Sequence, residues 1–315
     1  MPATALPPAA IPVVRPAPDS LTVGSEPDTP RPRAATSARR TALRQAAAYT
    51  VLALGAETGI GLAFRGSSSP AAPMLSILVP VLAVVAVTLT VTPRGQRRAS
   101  WAGVGLRRAG ARWWPAAILV PALIITLPYL VAWMFGLVTF HDLGQAAPDL
   151  LFGGVVFSVV ILGEEIGWRG FLLPRLREVI SPRRAAVLTG FLHGLFHIPL
   201  ITLTTSYDSV GSPWLVAPIV VATITAAGVF YAWLWERSAS VWPVAIAHNA
   251  VNTVIDAATM TTLTTSPVAL SYVAGESGLV TMAAVLLVAA VLLRRSAVAR
   301  MSRRTRPLPA RMAAQ

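Results

Sequence analysis

From Arg44 onward the chain is a succession of long apolar runs, each about the twenty residues a helix needs to cross a ~30 Å hydrocarbon core. Eight such runs can be read, at about 45–64, 74–92, 114–137, 149–173, 185–203, 214–235, 240–262 and 278–293. Backbone donors and acceptors find no water inside lipid, so spans of this kind must be helical; a barrel would need alternating polarity instead. The expected fold class is therefore all-α, a polytopic membrane protein. Composition agrees: 55% of the residues are hydrophobic and 12% charged, a balance that excludes an ordinary soluble domain. Cys is absent, so disulfides, thiolate metal sites and cysteine nucleophiles are excluded, and chemistry falls to His, carboxylates, Ser or Thr.

Residues 1–44 are rich in Pro, Ala and Ser without helical or strand period, and are expected to form a disordered cytoplasmic arm. They do not read as a signal peptide, because Pro7, Pro8 and Pro12 break the first apolar stretch. The formal charge of +13 is carried wholly by Arg. The arm, the loops 93–113, 174–184 and 236–239, and the basic tail 294–315 hold 24 of the 26 Arg, whereas the opposite loops hold one, Arg65. Positive charge collects on the cytoplasmic side of membrane proteins. Eight spans with both termini cytoplasmic thus account for the charge, and nucleic acid is not needed as a partner; the lipid bilayer is.

Ionisable groups inside a span cost about 2.5–3.5 kcal/mol each on insertion scales and mark function by default. The fourth span carries Glu164, Glu165 and Arg169. Adjacent carboxylates on a helix point about 100° apart, while Glu165 and Arg169, four apart, share a face in the order that favours an ion pair. Glu164 is then left to face a cavity. The fifth span holds His193 and His197 at i, i+4, a spacing that can bind zinc, though not in the arrangement of the zinc-protease helix. The seventh holds His248 and Asn252, with Asp256 one turn further toward outer water. At ~1.5 Å per residue Glu164 falls roughly 13 Å, His248 about 12 Å and His197 and Asn252 about 18 Å from the cytoplasmic ends of their spans, one common layer. Glu57 in the first span reads as a local hydrogen-bond partner. Taken singly, each polar stripe is also what helix-to-helix fastening looks like.

In these residues the sequence resembles the CAAX protease and bacteriocin-processing family (CPBP, or Abi) of intramembrane endopeptidases, which includes the type II CAAX prenyl proteases. The family's two Glu followed after three residues by Arg stand as Glu164, Glu165 and Arg169; its Phe, three residues, His ends at His197; its His, three residues, Asn is His248 and Asn252. The Phe position of the second motif is taken by His193, a departure. The resemblance covers about residues 149–262. It implies that Glu164, beside His197, activates a water, that His248 and Asn252 stabilise the oxyanion, and that Glu165 with Arg169 orients the helix. Two forms of that chemistry are open: a metal-free glutamate mechanism, or a zinc-type site in which Glu164, His193, His197 and His248 hold a divalent ion and one water.

Two other readings compete. Buried Glu, His and Asp also make ion pathways in proton- or ion-coupled transporters, but no repeated half of the chain accompanies them here. A catalytically silent immunity or scaffold protein would share the fold. The load of Ala, Arg and Pro without Lys points to a GC-rich coding sequence and a bacterial plasma membrane, where a leader peptide or membrane-protein segment is the expected substrate rather than a prenylated tail.

Overall fold

The computed structural model describes residues 32–141, 144, 147–205 and 210–304. The helices are α1 (Pro32–Ala63), α2 (Ala71–Thr90), α3 (Arg97–Ala102), α4 (Trp114–Met134), α5 (Ala147–Glu165), α6 (Leu173–Val179), α7 (Pro182–Leu203), α8 (Pro213–Ser238), α9 (Trp242–Thr261), α10 (Pro267–Val273) and α11 (Leu279–Arg304). A short antiparallel pair, β1 (Thr139–Phe140) with β2 (Thr262–Leu263), ties the ends of α4 and α9. Proline sets several of the helix starts. Pro115, Pro182, Pro213, Pro243 and Pro267 occupy the first turns of α4, α7, α8, α9 and α10, where a missing N–H costs nothing because no intrahelical acceptor awaits it.

The chain is an integral membrane protein of helical architecture. Six helices among the described residues are long and apolar enough to cross a membrane, at Thr36–Ala63, Ala71–Thr90, Ala111–Met134, Leu151–Val179, Pro182–Leu203 and Pro213–Ser238. The expected count of eight is supported only to six. The seventh and eighth runs are helices, α9 and α11, but are not among those six; α9 carries His248, Asn249, Asn252 and Asp256, which lower its hydropathy. A second difference lies at the start. Residues 32–44, expected to belong to a structureless arm, form the start of α1, because beyond Pro32 the chain is dominated by Ala and Arg, both strong helix formers. Residues 1–31 of that arm and 305–315 of the tail lie outside the described residues.

The polarity of the bundle is inverted relative to a soluble domain. Val51, Leu82, Leu123, Leu151, Phe152 and Leu287 face outward, while Glu57, Glu164, Glu165, Arg169 and His193 are buried. Among apolar helices in lipid, close packing and interhelical hydrogen bonds, not the hydrophobic effect, hold the bundle together. Two places show it. Tyr49, Trp168 and Phe171 form an aromatic core, with ring centroids 5.4 and 5.6 Å from that of Tyr49, and Trp168 meets Phe196 at 5.6 Å. Where α7 crosses α8 the backbones approach directly at Gly190 and Gly228: a Cβ on Gly190 would lie 2.6 Å from the Thr225 carbonyl oxygen and 3.1 Å from the Gly228 Cα.

This crossing gives a first prediction. Gly190→Ala forces backbone against backbone and should cost about 1–3 kcal/mol, the usual range for overpacking. Gly55→Ala, where a Cβ meets nothing within 4 Å, should be neutral or stabilising by up to about 1 kcal/mol. Thermal unfolding in a fixed detergent checks both, and equal melting temperatures for the two variants would contradict the crossing.

Candidate active site

Between α5 and α6 the helix widens into a π-helical segment, Ile166–Leu172, every residue of which is buried. Such segments are rare and collect at functional sites. Gly167 permits it: a Cβ there would fall 2.3 Å from the Tyr49 hydroxyl and 2.6 Å from the Pro80 Cβ, so only a glycine lets the widened turn seat against α1 and α2. The sequence pattern alone predicts regular α-helix through this stretch. The pair expected within it survives the change: Arg169 Nη1 donates to both oxygens of Glu165, at 2.8 and 3.0 Å, with both side chains fully buried.

The neighbouring helices complete a continuous chain of hydrogen bonds. Arg169 Nη1 also lies 3.2 Å from His193 Nδ1. A guanidinium has donors only, so His193 Nδ1 is the acceptor and the neutral ring carries its proton on Nε2. That Nε2 donates to Glu164 Oε2 at 3.2 Å. On the other side, His248 Nδ1 donates to Glu165 Oε1 at 2.8 Å. Glu164, His193, Arg169, Glu165 and His248 are thus linked in that order across three helices. Ring faces fix the imidazoles: Trp168 stacks on His193 at 4.8 Å and 25°, Tyr231 on His248 at 5.8 Å and 27°, and the Arg169 guanidinium lies over the Tyr231 ring at 4.7 Å.

Most of the residues singled out from sequence come together. Glu164, His193 and His197 each place one ligand-type atom so that all three lie within 4.8 Å of one another. The His193 ring centroid is 5.3 Å from that of His197 and 5.5 Å from that of His248. Asn252 lines the same cavity as His193 and His248. Two residues stay apart. Glu57 is fully buried against Ser76, 2.9 Å from Oε1 to Oγ, and Asp256 is exposed. The two adjacent carboxylates sit near opposite ends of the same hydrogen-bonded chain, Glu165 paired with Arg169 and His248, Glu164 with His193.

Some contributors carry no motif. Asn249 pins α9 to α5 by donating to the Gly154 carbonyl at 2.7 Å and to Ser158 Oγ at 3.0 Å. Tyr231 and Trp168 were legible only as span aromatics, and Glu276, in the segment between α10 and α11, only as a loop acid. The cavity is walled mainly by apolar side chains of α4, α8, α9 and α11, Ile125, Ile224, Phe230, Val251 and Val285 among them, with His193, His248, Asn252, Tyr231 and Glu276 as polar groups. A mostly apolar cleft with a few convergent polar groups is the usual form of a binding site.

The donor set bears on the metal alternative. His193 could ligate an ion through Nε2 only as the tautomer protonated at Nδ1, and that proton would point at the Arg169 guanidinium. His248 is not one of the three residues whose ligand atoms cluster. With His193 Nε2 carrying its proton, Glu164 and His197 are the members of the trio left with a ligand atom for an ion; the other His193 tautomer would make it three.

Fold and site define a class: a helical membrane protein in which a buried acid is hydrogen-bonded to an imidazole, His193, that lines a cavity together with His248 and Asn252. Residues 145–254, which contain all three motifs, match the family model of the Rce1-like type II CAAX prenyl endopeptidases. The chain is also 31% identical over 98 residues to CAAX prenyl protease 2 of Methanococcus maripaludis, a match covering 30% of this chain and 36% of that relative. The resemblance read from the motifs is borne out over the part of the chain that carries them, which spans about a third of the relative's length.

Proposed function

We propose that this protein is an intramembrane endopeptidase that hydrolyses peptide bonds with a glutamate-activated water. The supporting observation is the cluster of buried Glu164 and His193 with half-buried His197 on two neighbouring helices, next to a cavity lined by His193, His248 and Asn252. Glu164 takes a proton from a water held between it and His197, and the hydroxide oxygen bonds to the scissile carbonyl carbon. The carbonyl oxygen gains the negative charge, which the Asn252 amide and the His248 imidazolium stabilise. Donors fixed before reaction contribute about 2.7–4 kcal/mol each in other enzymes. When the C–N bond breaks, Glu164 returns its proton to the leaving amine.

Charge balance supports these roles. With His248 protonated on both nitrogens, Glu164 and Glu165 face two cations, Arg169 and His248, and the cluster is neutral overall. His193, set where the family has Phe, keeps Glu164 oriented as a donor to its Oε2. The substrate is a peptide segment able to enter a largely apolar cavity: a leader peptide or the end of a membrane-protein segment, in a bacterial plasma membrane with both termini of the enzyme on the Arg-rich cytoplasmic side.

The test is cleavage of a library of membrane-anchored and leader-type peptides by the purified full chain in lipid, with and without a strong chelator. Cleavage unchanged by chelator is the expected result. Cleavage abolished by chelator and restored by zinc would overturn the metal-free mechanism, and no cleavage by folded protein across a broad library would overturn the assignment as a protease.

A further inference from the structure

The largely apolar wall of the cavity carries two hydroxyl side chains, Thr223 of α8 and Thr281 of α11. The two helices pack together just beyond them: Ala226, three residues after Thr223, and Val285, four after Thr281, belong to one cluster with Val229 and Ala289. Thr223 is 6% exposed and Thr281 is fully buried. Neither hydroxyl has a hydrogen-bond partner.

Helical threonines elsewhere in this chain are satisfied locally. The hydroxyls of Thr58, Thr90, Thr202, Thr225 and Thr259 each donate to the carbonyl four residues back, and Thr225 lies only two residues beyond Thr223. A buried hydroxyl without a partner destabilises the fold that holds it, so each one calls for an explanation. Among the described residues the buried threonines in this condition are Thr88, Thr189, Thr223 and Thr281, and the last two line the cavity.

A peptide entering that space has matching needs. It brings one N–H and one C=O for most of its residues, and in apolar surroundings each requires a partner. The side chains of Ile124, Ile224 and Val288, which line the cavity with the threonines, offer none, whereas a hydroxyl both donates and accepts. Building on the protease reading, we infer that Thr223 and Thr281 form a backbone-binding subsite: their hydroxyls hydrogen-bond to N–H and C=O groups of the bound peptide away from the scissile bond. Both residues touch substrate and take no part in the proton transfers. A contact of this kind is blind to side-chain identity, so the subsite holds the peptide in place while the apolar wall sorts side chains only weakly by size.

The experiment uses the full chain in detergent or lipid with Glu164→Gln as the background, so that binding is read without turnover. The probes are apolar peptides of one sequence in which each amide in turn is replaced by an ester, which removes the N–H and weakens the carbonyl as an acceptor at nearly unchanged shape. Where the peptide meets the threonines, the ester should weaken binding by at least about fivefold. That penalty should shrink in Thr223→Val and in Thr281→Val, vanish in the double variant and persist in Thr223→Ser and Thr281→Ser, while ester penalties elsewhere on the peptide stay as they were. Melting temperatures give a second readout: Val removes a hydroxyl that has no partner in the free protein, so each Val variant should melt at or above its parent. Lower melting with an equal loss for every peptide would make the hydroxyls structural and overturn the inference. A penalty unchanged in the double variant, or binding that is absent or that no ester weakens, would overturn it as well. Ester penalties lost with the threonines in a protein that cleaves nothing would leave the inference standing while the protease reading falls, and cleavage by a chain whose ester penalties ignore the threonines would do the reverse.

Discussion

Glu164→Gln lowers kcat/KM for peptide cleavage by at least about 10²–10⁴-fold, the share a positioned general base contributes, with little change in melting temperature. The substitution is nearly isosteric. The amide oxygen still accepts the proton of His193 Nε2, now at 3.2 Å from Glu164 Oε2, so the chain of hydrogen bonds to Arg169 and Glu165 keeps its direction. What is lost is the capacity to take a proton from water. Glu164→Asp retains that capacity but withdraws the carboxylate by one methylene, and an intermediate activity is expected from it. Single-turnover cleavage by wild type and both variants, with unfolding monitored in parallel, checks the order. Full activity in Glu164→Gln would remove Glu164 from the reaction and leave His197 as the candidate base.

How far the sequence carried differs between fold and site, for a physical reason. Helix existence followed from apolar length, and the runs at 185–203 and 214–235 became α7 and α8 within three residues at each end, because Pro182 and Pro213 sit at their starts. The start of α1 did not follow, since the helix outruns the apolar run: Ala and Arg extend it with little hydrophobicity. In the site, spacing was sufficient to pair Glu165 with Arg169, because both lie on one helix. Partners on different helices were beyond it. The contact of His248 with Glu165 and of His193 with Glu164 depends on how α7 and α9 rotate against the π segment, and that rotation is set by Gly167, Asn249 and the Gly190 crossing, none of which belongs to a motif.

The largest stability effect should come from Arg169→Met. Glu165 is fully buried, and Arg169 is its one charged partner besides His248; removing the guanidinium also strips His193 Nδ1 of its donor. Breaking a buried pair from one side typically costs about 3–5 kcal/mol, because the remaining charge is left unpaired in a medium of low dielectric. Glu165→Gln alone should likewise destabilise, leaving Arg169 uncompensated. The double variant removes both charges together, and its loss should fall short of the sum of the singles by about 0.5–3 kcal/mol, the range for residues in direct contact. Denaturant unfolding of the four proteins measures that coupling, and additive losses would show that the pair contributes nothing beyond its separate contacts. Activity should follow a different rule from stability. In the double variant the amide that replaces the Glu165 carboxylate can still accept from His248 Nδ1 but no longer carries the charge that favours an imidazolium, and the His193 tautomer that directs Nε2 at Glu164 loses the Arg169 donor that reinforces it at Nδ1. Recovered stability with cleavage still absent is therefore the expected result, and it would separate the two tasks of the Glu165–Arg169 pair: holding the helix together, which a neutral pair can do, and setting the protonation of the two imidazoles, which it cannot.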